Sequence, residues 1–140
     1  MIYFVSMNVK VEASIPGNKR RVLLVDDVED IRSMVKQLLS RHPGLEIVGQ
    51  AHDGAEAVRE AERLRPDVIL MDIHMPVMDG IAATRAIKKF LPATRIIVVS
   101  VSDGATHRAA REAGADGICD KADVMTRLPT MIESVLPDAL

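Results

Sequence analysis

Polar side chains that could do chemistry close four apolar runs in this chain. Val22-Leu23-Leu24-Val25 ends in Asp26-Asp27, and Val68-Ile69-Leu70-Met71 ends in Asp72. Ile96-Ile97-Val98-Val99 ends in Ser100, and Ile118-Cys119 leads through Asp120 to Lys121. Short apolar runs of this kind read as buried strands of a parallel sheet. The carboxyl ends of such strands meet at one edge, where ligands bind. Three carboxylates, a hydroxyl and an ammonium are thus expected in one crevice. Clustered carboxylates repel unless a cation joins them, and hard oxygen ligands suit Mg²⁺. A metal, a nucleophilic carboxylate and a lysine together suggest phosphoryl transfer onto an aspartate.

The segments between these runs supply the elements that hold them. After Asp27, the residues Ile31, Met34, Val35, Leu38 and Leu39 repeat at i, i+3, i+4, i+7 and i+8, which predicts a helix with that face inward. Asp27 is a candidate N-cap for it, a role compatible with metal binding because a cap uses only part of the carboxylate. Pro43-Gly44 ends the helix, and 45–51 reads as the second strand. Asp53 is placed to cap a second helix with Ala57, Val58, Ala61 and Leu64 inward. Pro66 separates that helix from the third strand. Asp79-Gly80 opens a third helix with Ile81, Ala83, Ile87 and Phe90 inward, and Pro92 precedes the fourth strand. A fourth helix, about 103–113, offers only Ala105, Ala109, Ala110 and Ala113 to the core. A short fifth strand, 117–120, follows Gly114. A last helix runs to Leu136 with Leu128, Ile132 and Val135 inward and Pro129 in its first turn. Five strands alternating with five helices predict an α/β doubly wound fold with a parallel sheet.

Composition sets the outer limits. A chain of 140 residues is one domain with room for a proper core. A net charge of −2 gives no global field for nucleic acid or an anionic membrane, so direct nucleic-acid binding is not expected. No apolar stretch approaches the roughly 20 residues of a membrane span. The first five residues are too short and lack the basic flank of a signal peptide. The single Cys119 has no internal disulfide partner and suits a reducing cytoplasm. Its place in an apolar strand favours a buried, inert thiol. Residues 1–20 stand apart: Ile2, Phe4, Val9 and Val11 have strand character that Pro16-Gly17-Asn18 breaks, and a flexible arm dispensable for the fold is expected.

The matched positions resemble a known family. Val25-Asp26-Asp27, then Met71-Asp72-Ile73-His74-Met75-Pro76-Val77-Met78-Asp79-Gly80, then Ser100 and Lys121, are similar in order and spacing to receiver domains of two-component response regulators. The resemblance covers 21 to about 136, so 21–140 is taken as the receiver domain. Gly114-Ala115-Asp116-Gly117 and Ser100-Val101-Ser102 look most like receivers that precede a helix-turn-helix output domain. The resemblance implies a flavodoxin-like strand order, 2-1-3-4-5. It implies Asp72 as phosphoacceptor, with Asp26, Asp27, Asp72 and the backbone carbonyl of His74 around Mg²⁺. Lys121 would pair with a phosphoryl oxygen, and Ser100 would donate its hydroxyl to the phosphoryl group. The phosphodonor would be a histidine kinase or phosphotransfer protein. The output domain or protein target would meet the fourth helix, fifth strand and fifth helix. The chain would be regulatory, catalysing only its own phosphorylation and dephosphorylation.

Two positions depart from the family pattern. Relatives usually carry Tyr or Phe three residues before the lysine, where this chain has Ile118. They often carry a cis proline after it, where this chain has Ala122. Without a ring to swing inward, coupling to the output face is expected to run through the alanine-faced fourth helix. The side chains of His74 and Ser102 are candidates for tuning access of water to the phosphoryl group. His42, His52, His74 and His107 lack metal-ligand spacing. A dinucleotide enzyme would need Gly-x-Gly-x-x-Gly where Asp26-Asp27-Val28-Glu29 stands. A haloacid-dehalogenase-type hydrolase would need a second acid at His74. A phosphorylation-independent interaction module is the remaining alternative, and Ile118 is what favours it.

Overall fold

The computed structural model describes residues 19–101 and 103–136. The expected arm lies almost wholly outside the described residues, as does Ser102. The order of elements is β1 Arg20–Val25, α1 Glu29–Ser40, β2 Leu45–Ala51, α2 Gly54–Leu64 and β3 Val68–Asp72. It continues with α3 Gly80–Phe90, β4 Arg95–Ser100, α4 Gly104–Glu112 and β5 Gly117–Asp120. A 3₁₀ turn, Lys121–Asp123, then leads into α5 Val124–Val135. All strand pairings are parallel, in the order β2-β1-β3-β4-β5. This is the expected flavodoxin-like doubly wound fold.

Alternation along each strand divides the core between the two faces of the sheet. Leu23, Val25, Ile69, Met71, Ile96 and Val98 point to the face covered by α2, α3 and α4. Val22, Leu24, Val68, Leu70, Ile97 and Cys119 point to the face covered by α1 and α5. The helices are anchored unequally. α5 buries Leu128 and Ile132 completely, each contributing on the order of 2 kcal/mol. α4 buries Ala110, and Ala113 at its C-cap, so it contributes methyl groups of about 0.8 kcal/mol apiece. Asp53, Asp79 and Asp103 cap α2, α3 and α4, accepting from Glu56 N–H, Ala82 N–H and Ala105 N–H. Among the described residues no helix is long and apolar enough to cross a membrane.

Several expectations need correction. Asp27 does not cap α1. Val28 is the N-cap residue, without a side-chain cap bond, and its N–H is taken by Asp26 Oδ1 at 2.8 Å. Ile31 and Met34 are exposed, although the helical period put them inward. They sit at the end of α1 nearest the carboxyl edge, where they line a cavity instead of packing into the core. Phe90 is exposed because it lies in the last turn of α3, beyond the sheet. Ala105 is exposed at the start of α4. Pro129 lies inside α5 rather than in its first turn, since the helix begins at Val124. No cis peptide bond occurs among the described residues.

Candidate functional site

Four strand ends meet at one edge, as their register dictates. Val25 pairs with Met71, Asp72 with Val99, and Ser100 with Asp120. The next residues out are therefore Asp26 and Asp27 on one side of Asp72, and Ser100 and Lys121 on the other. Carboxylate oxygens of Asp26, Asp27 and Asp72 lie within 4.8 Å of one another. Asp72 is 2% exposed. Lys121 reaches over it from the start of the 3₁₀ turn, with Nζ 3.1 Å from Asp72 Oδ1. The contact is charge pairing at a poor hydrogen-bond angle. Asp72 Oδ1 is buried and makes no hydrogen bond.

Electrostatics follow from this packing. Burial pushes the Asp26 carboxyl above its ordinary range. The Val28 N–H pulls it down, the charge of Asp72 raises it, Lys121 lowers it and Asp27 raises it again. One lysine thus faces three acids. The surplus negative charge and the unbonded oxygen of Asp72 fit a hard divalent cation such as Mg²⁺. Asp27 is exposed and open to an incoming ion. His74 is exposed two residues past Asp72, in the loop whose backbone carbonyl was expected to contribute.

That loop is drawn tight. Gly80 N–H donates to Ile73 O at 2.8 Å, and a Cβ on Gly80 would stand 1.9 Å from the carbonyl oxygen of Asp72. Only glycine lets α3 start this close to Asp72. Gly54 at the start of α2 plays the same part against Met78 O, to which its N–H donates at 2.9 Å. Between them, Met78 N–H donates to Pro76 O at 2.7 Å, closing a three-residue turn around Val77. Val77 has φ +72° and is 84% exposed, a strained conformation for a β-branched side chain.

Ser100 is 1% exposed, and its hydroxyl donates to Val101 O at 3.0 Å. It is engaged with its own loop. Ile118 sits partly buried on the α4 side of the sheet and, with His107 and Met131, helps line a cavity of about 240 Å³. Cys119 is buried, and burial raises its thiol pKa, as an inert role requires. Sequence reasoning missed Arg32. Its Nη1 donates to the Asp26 carbonyl and its Nε to Gln50 Oε1 at 3.0 Å. It was masked by lying one residue after Ile31 on a helix read for its apolar face.

Comparison with known proteins agrees with this geometry. A model of the response regulator receiver domain family matches residues 22–133. A protein-glutamate methylesterase/protein-glutamine glutaminase of Alkalilimnicola ehrlichii is 46% identical over 105 residues, 74% of this chain and 27% of that protein. The transcriptional regulatory protein DegU of Brevibacillus brevis is 33% identical over 121 residues, 79% of this chain and 51% of that protein. The chain thus spans only part of the length of these relatives. Among solved structures, a LuxR-family two-component response regulator from Aurantimonas sp. SI85-9A1 superposes with a TM-score of 0.80 at 35% identity, covering 84% of each chain. The response regulator domain of Thermotoga maritima CheB gives 0.76 at 37% identity, covering 84% of this chain and 93% of that one. With the acidic strand ends, the lysine and the strand order all in place, the chain belongs to the receiver domain family of two-component response regulators.

Proposed function

We propose that this chain is a cytoplasmic phosphoacceptor switch that takes a phosphoryl group onto Asp72 from a histidine kinase or phosphotransfer protein. One observation carries the reading: Asp72 is buried in a cluster of three carboxylates, with Lys121 Nζ at 3.1 Å and an Oδ1 that accepts no hydrogen bond. An Asp72 oxygen attacks phosphorus in line with the departing imidazole nitrogen. The O–P bond forms, the N–P bond breaks, and the imidazole keeps the electron pair. The strand end fixes the carboxylate for this approach. Mg²⁺, held by Asp26, Asp27, Asp72 and the His74 carbonyl, would screen the phosphoryl oxygens. Lys121 would exchange its contact with Asp72 for one with a phosphoryl oxygen. Ser100 would leave Val101 O and donate to another, drawing the β4–α4 loop with it. α4, held by alanines, is the element this would move, and the partner surface is then α4, β5 and α5. The relatives bear methylesterase and transcriptional-regulatory names, and the reading extends only to the receiver portion they share.

Incubation with a small acyl-phosphate and Mg²⁺ should add one phosphoryl group per chain, and Asp72→Asn should remain unlabelled. Equal labelling of the variant would refute the reading. Ile118 supports one competing view, a receiver-like module that binds its partner without phosphorylation. Failure of the wild-type chain to label, with partner binding retained, would favour that view.

A further inference from the structure

This inference rests on the cation site proposed above and concerns how that site is held in shape. Asp26 is fastened from three directions. Its N–H donates to Ala51 O at 3.1 Å, its Oδ1 accepts from Val28 N–H at 2.8 Å, and its carbonyl accepts from Arg32 Nη1. The Asp26 carbonyl belongs to the planar peptide unit that joins Asp26 to Asp27. Whatever fixes that plane fixes where Asp27 leaves the chain. Asp27 itself is exposed, and no hydrogen bond to its side chain occurs among the described residues. Its carboxylate therefore depends on the backbone for placement. The guanidinium is secured in turn by Gln50 on the edge strand, through Nε to Oε1 at 3.0 Å. Arg32 thus spans the carboxyl ends of β1 and β2. Its planar fork holds Nε and Nη1 rigidly apart and aimed at the two partners, whereas a lysine offers one compact, freely rotating ammonium that cannot sit against both.

We propose that Arg32 is a positioning residue for the divalent-cation site, bracing the Asp26–Asp27 peptide with Gln50 as its anchor. Arg32 lines the cavity of about 100 Å³ beneath Asp26, Asp72 and Lys121, but its hydrogen bonds go to a backbone carbonyl and a side-chain amide, not to a carboxylate. Its effect is geometric, and it leaves the acids free for the ion.

Full-length wild type, Arg32→Ala, Arg32→Lys and Gln50→Ala are titrated with Mg²⁺ and followed by NMR shifts, with melting in EDTA recorded for each. Losing a group that orients a metal ligand typically costs tenfold or more in affinity. Arg32→Ala should therefore weaken Mg²⁺ binding by about tenfold, with Arg32→Lys and Gln50→Ala weakened by about threefold. Labelling by acyl-phosphate at saturating Mg²⁺ should stay within about twofold of wild type, which a general structural defect would not allow. An Arg32→Ala affinity within about twofold of wild type overturns the proposal. Should that variant fail to fold, Arg32→Lys and Gln50→Ala decide, and wild-type affinity in both overturns it. Wild type that binds no Mg²⁺ brings down the cation site itself, an outcome distinct from a site that binds without needing Arg32.

Discussion

The two ends of the β-sheet use aspartate in opposite ways. At the amino end Asp67 and Asp116 each have partners that suit them. Asp67 accepts from Arg21 N–H at 2.8 Å. Asp116 accepts from Ile96 N–H at 2.9 Å, pairs with Lys88 Nζ at 2.9 Å and lies 3.5 Å from Arg95 Nη1. Lys88 also donates to Thr94 O, and buried Thr94 donates to Pro66 O. At the carboxyl end three acids crowd around one lysine, and Asp72 Oδ1 has no hydrogen bond. The first arrangement lowers the energy of the fold. The second leaves charge unmatched at a fixed place, which is what a site for a cation and a phosphoryl group requires.

Substitutions at the two ends should separate accordingly. The largest expected effect is on Mg²⁺ binding. Asp27→Ala should weaken it by more than about tenfold with melting in EDTA nearly unchanged, since Asp27 is exposed and its side chain has no hydrogen bond or ion pair among the described residues; undiminished affinity by calorimetry would remove Asp27 from the site. Next comes Asp116→Ala at the opposite end, which removes the carboxylate that pairs with Lys88 and leaves the Ile96 N–H without its acceptor. Urea unfolding should register a loss of about 2–3 kcal/mol with Mg²⁺ affinity unaltered. Asp26→Asn should do the reverse without metal. The amide keeps the acceptor for Val28 and relieves burial and repulsion, so stability in EDTA should rise by about 1 kcal/mol. A drop instead would mean that the carboxyl cluster is not under strain.

Smaller still is the response of α4. Hydrogen exchange with and without a phosphoryl mimic should change most between 102 and 113, because that helix is held by methyl groups while α5 is held by Leu128 and Ile132. A change centred on Ile118 with α4 silent would transfer the switching role to β5.

Much was legible before any coordinates. The β1, β3, β4 and β5 runs are apolar because both faces of the sheet are covered, and a parallel strand must end where its helix begins. The identities of Asp26, Asp27, Asp72, Ser100 and Lys121 therefore announced a shared edge. The helix cap at Asp53 was equally local, depending on one side chain and a backbone N–H three residues on. Tertiary structure alone decided the rest. The period of α1 is the same for Val35 and Ile31, yet only the neighbours decide that one is buried and the other overhangs a cavity. Gly80 reads as a helix start, and its closeness to the Asp72 carbonyl exists only once α3 is docked. Arg32 carries no local signal at all, since its partners come from the end of one strand and from the edge of another. Residue type and order along the chain determined which groups could act. Contacts between elements far apart in sequence determined how those groups are held, because such contacts depend on docking geometry that no single segment encodes.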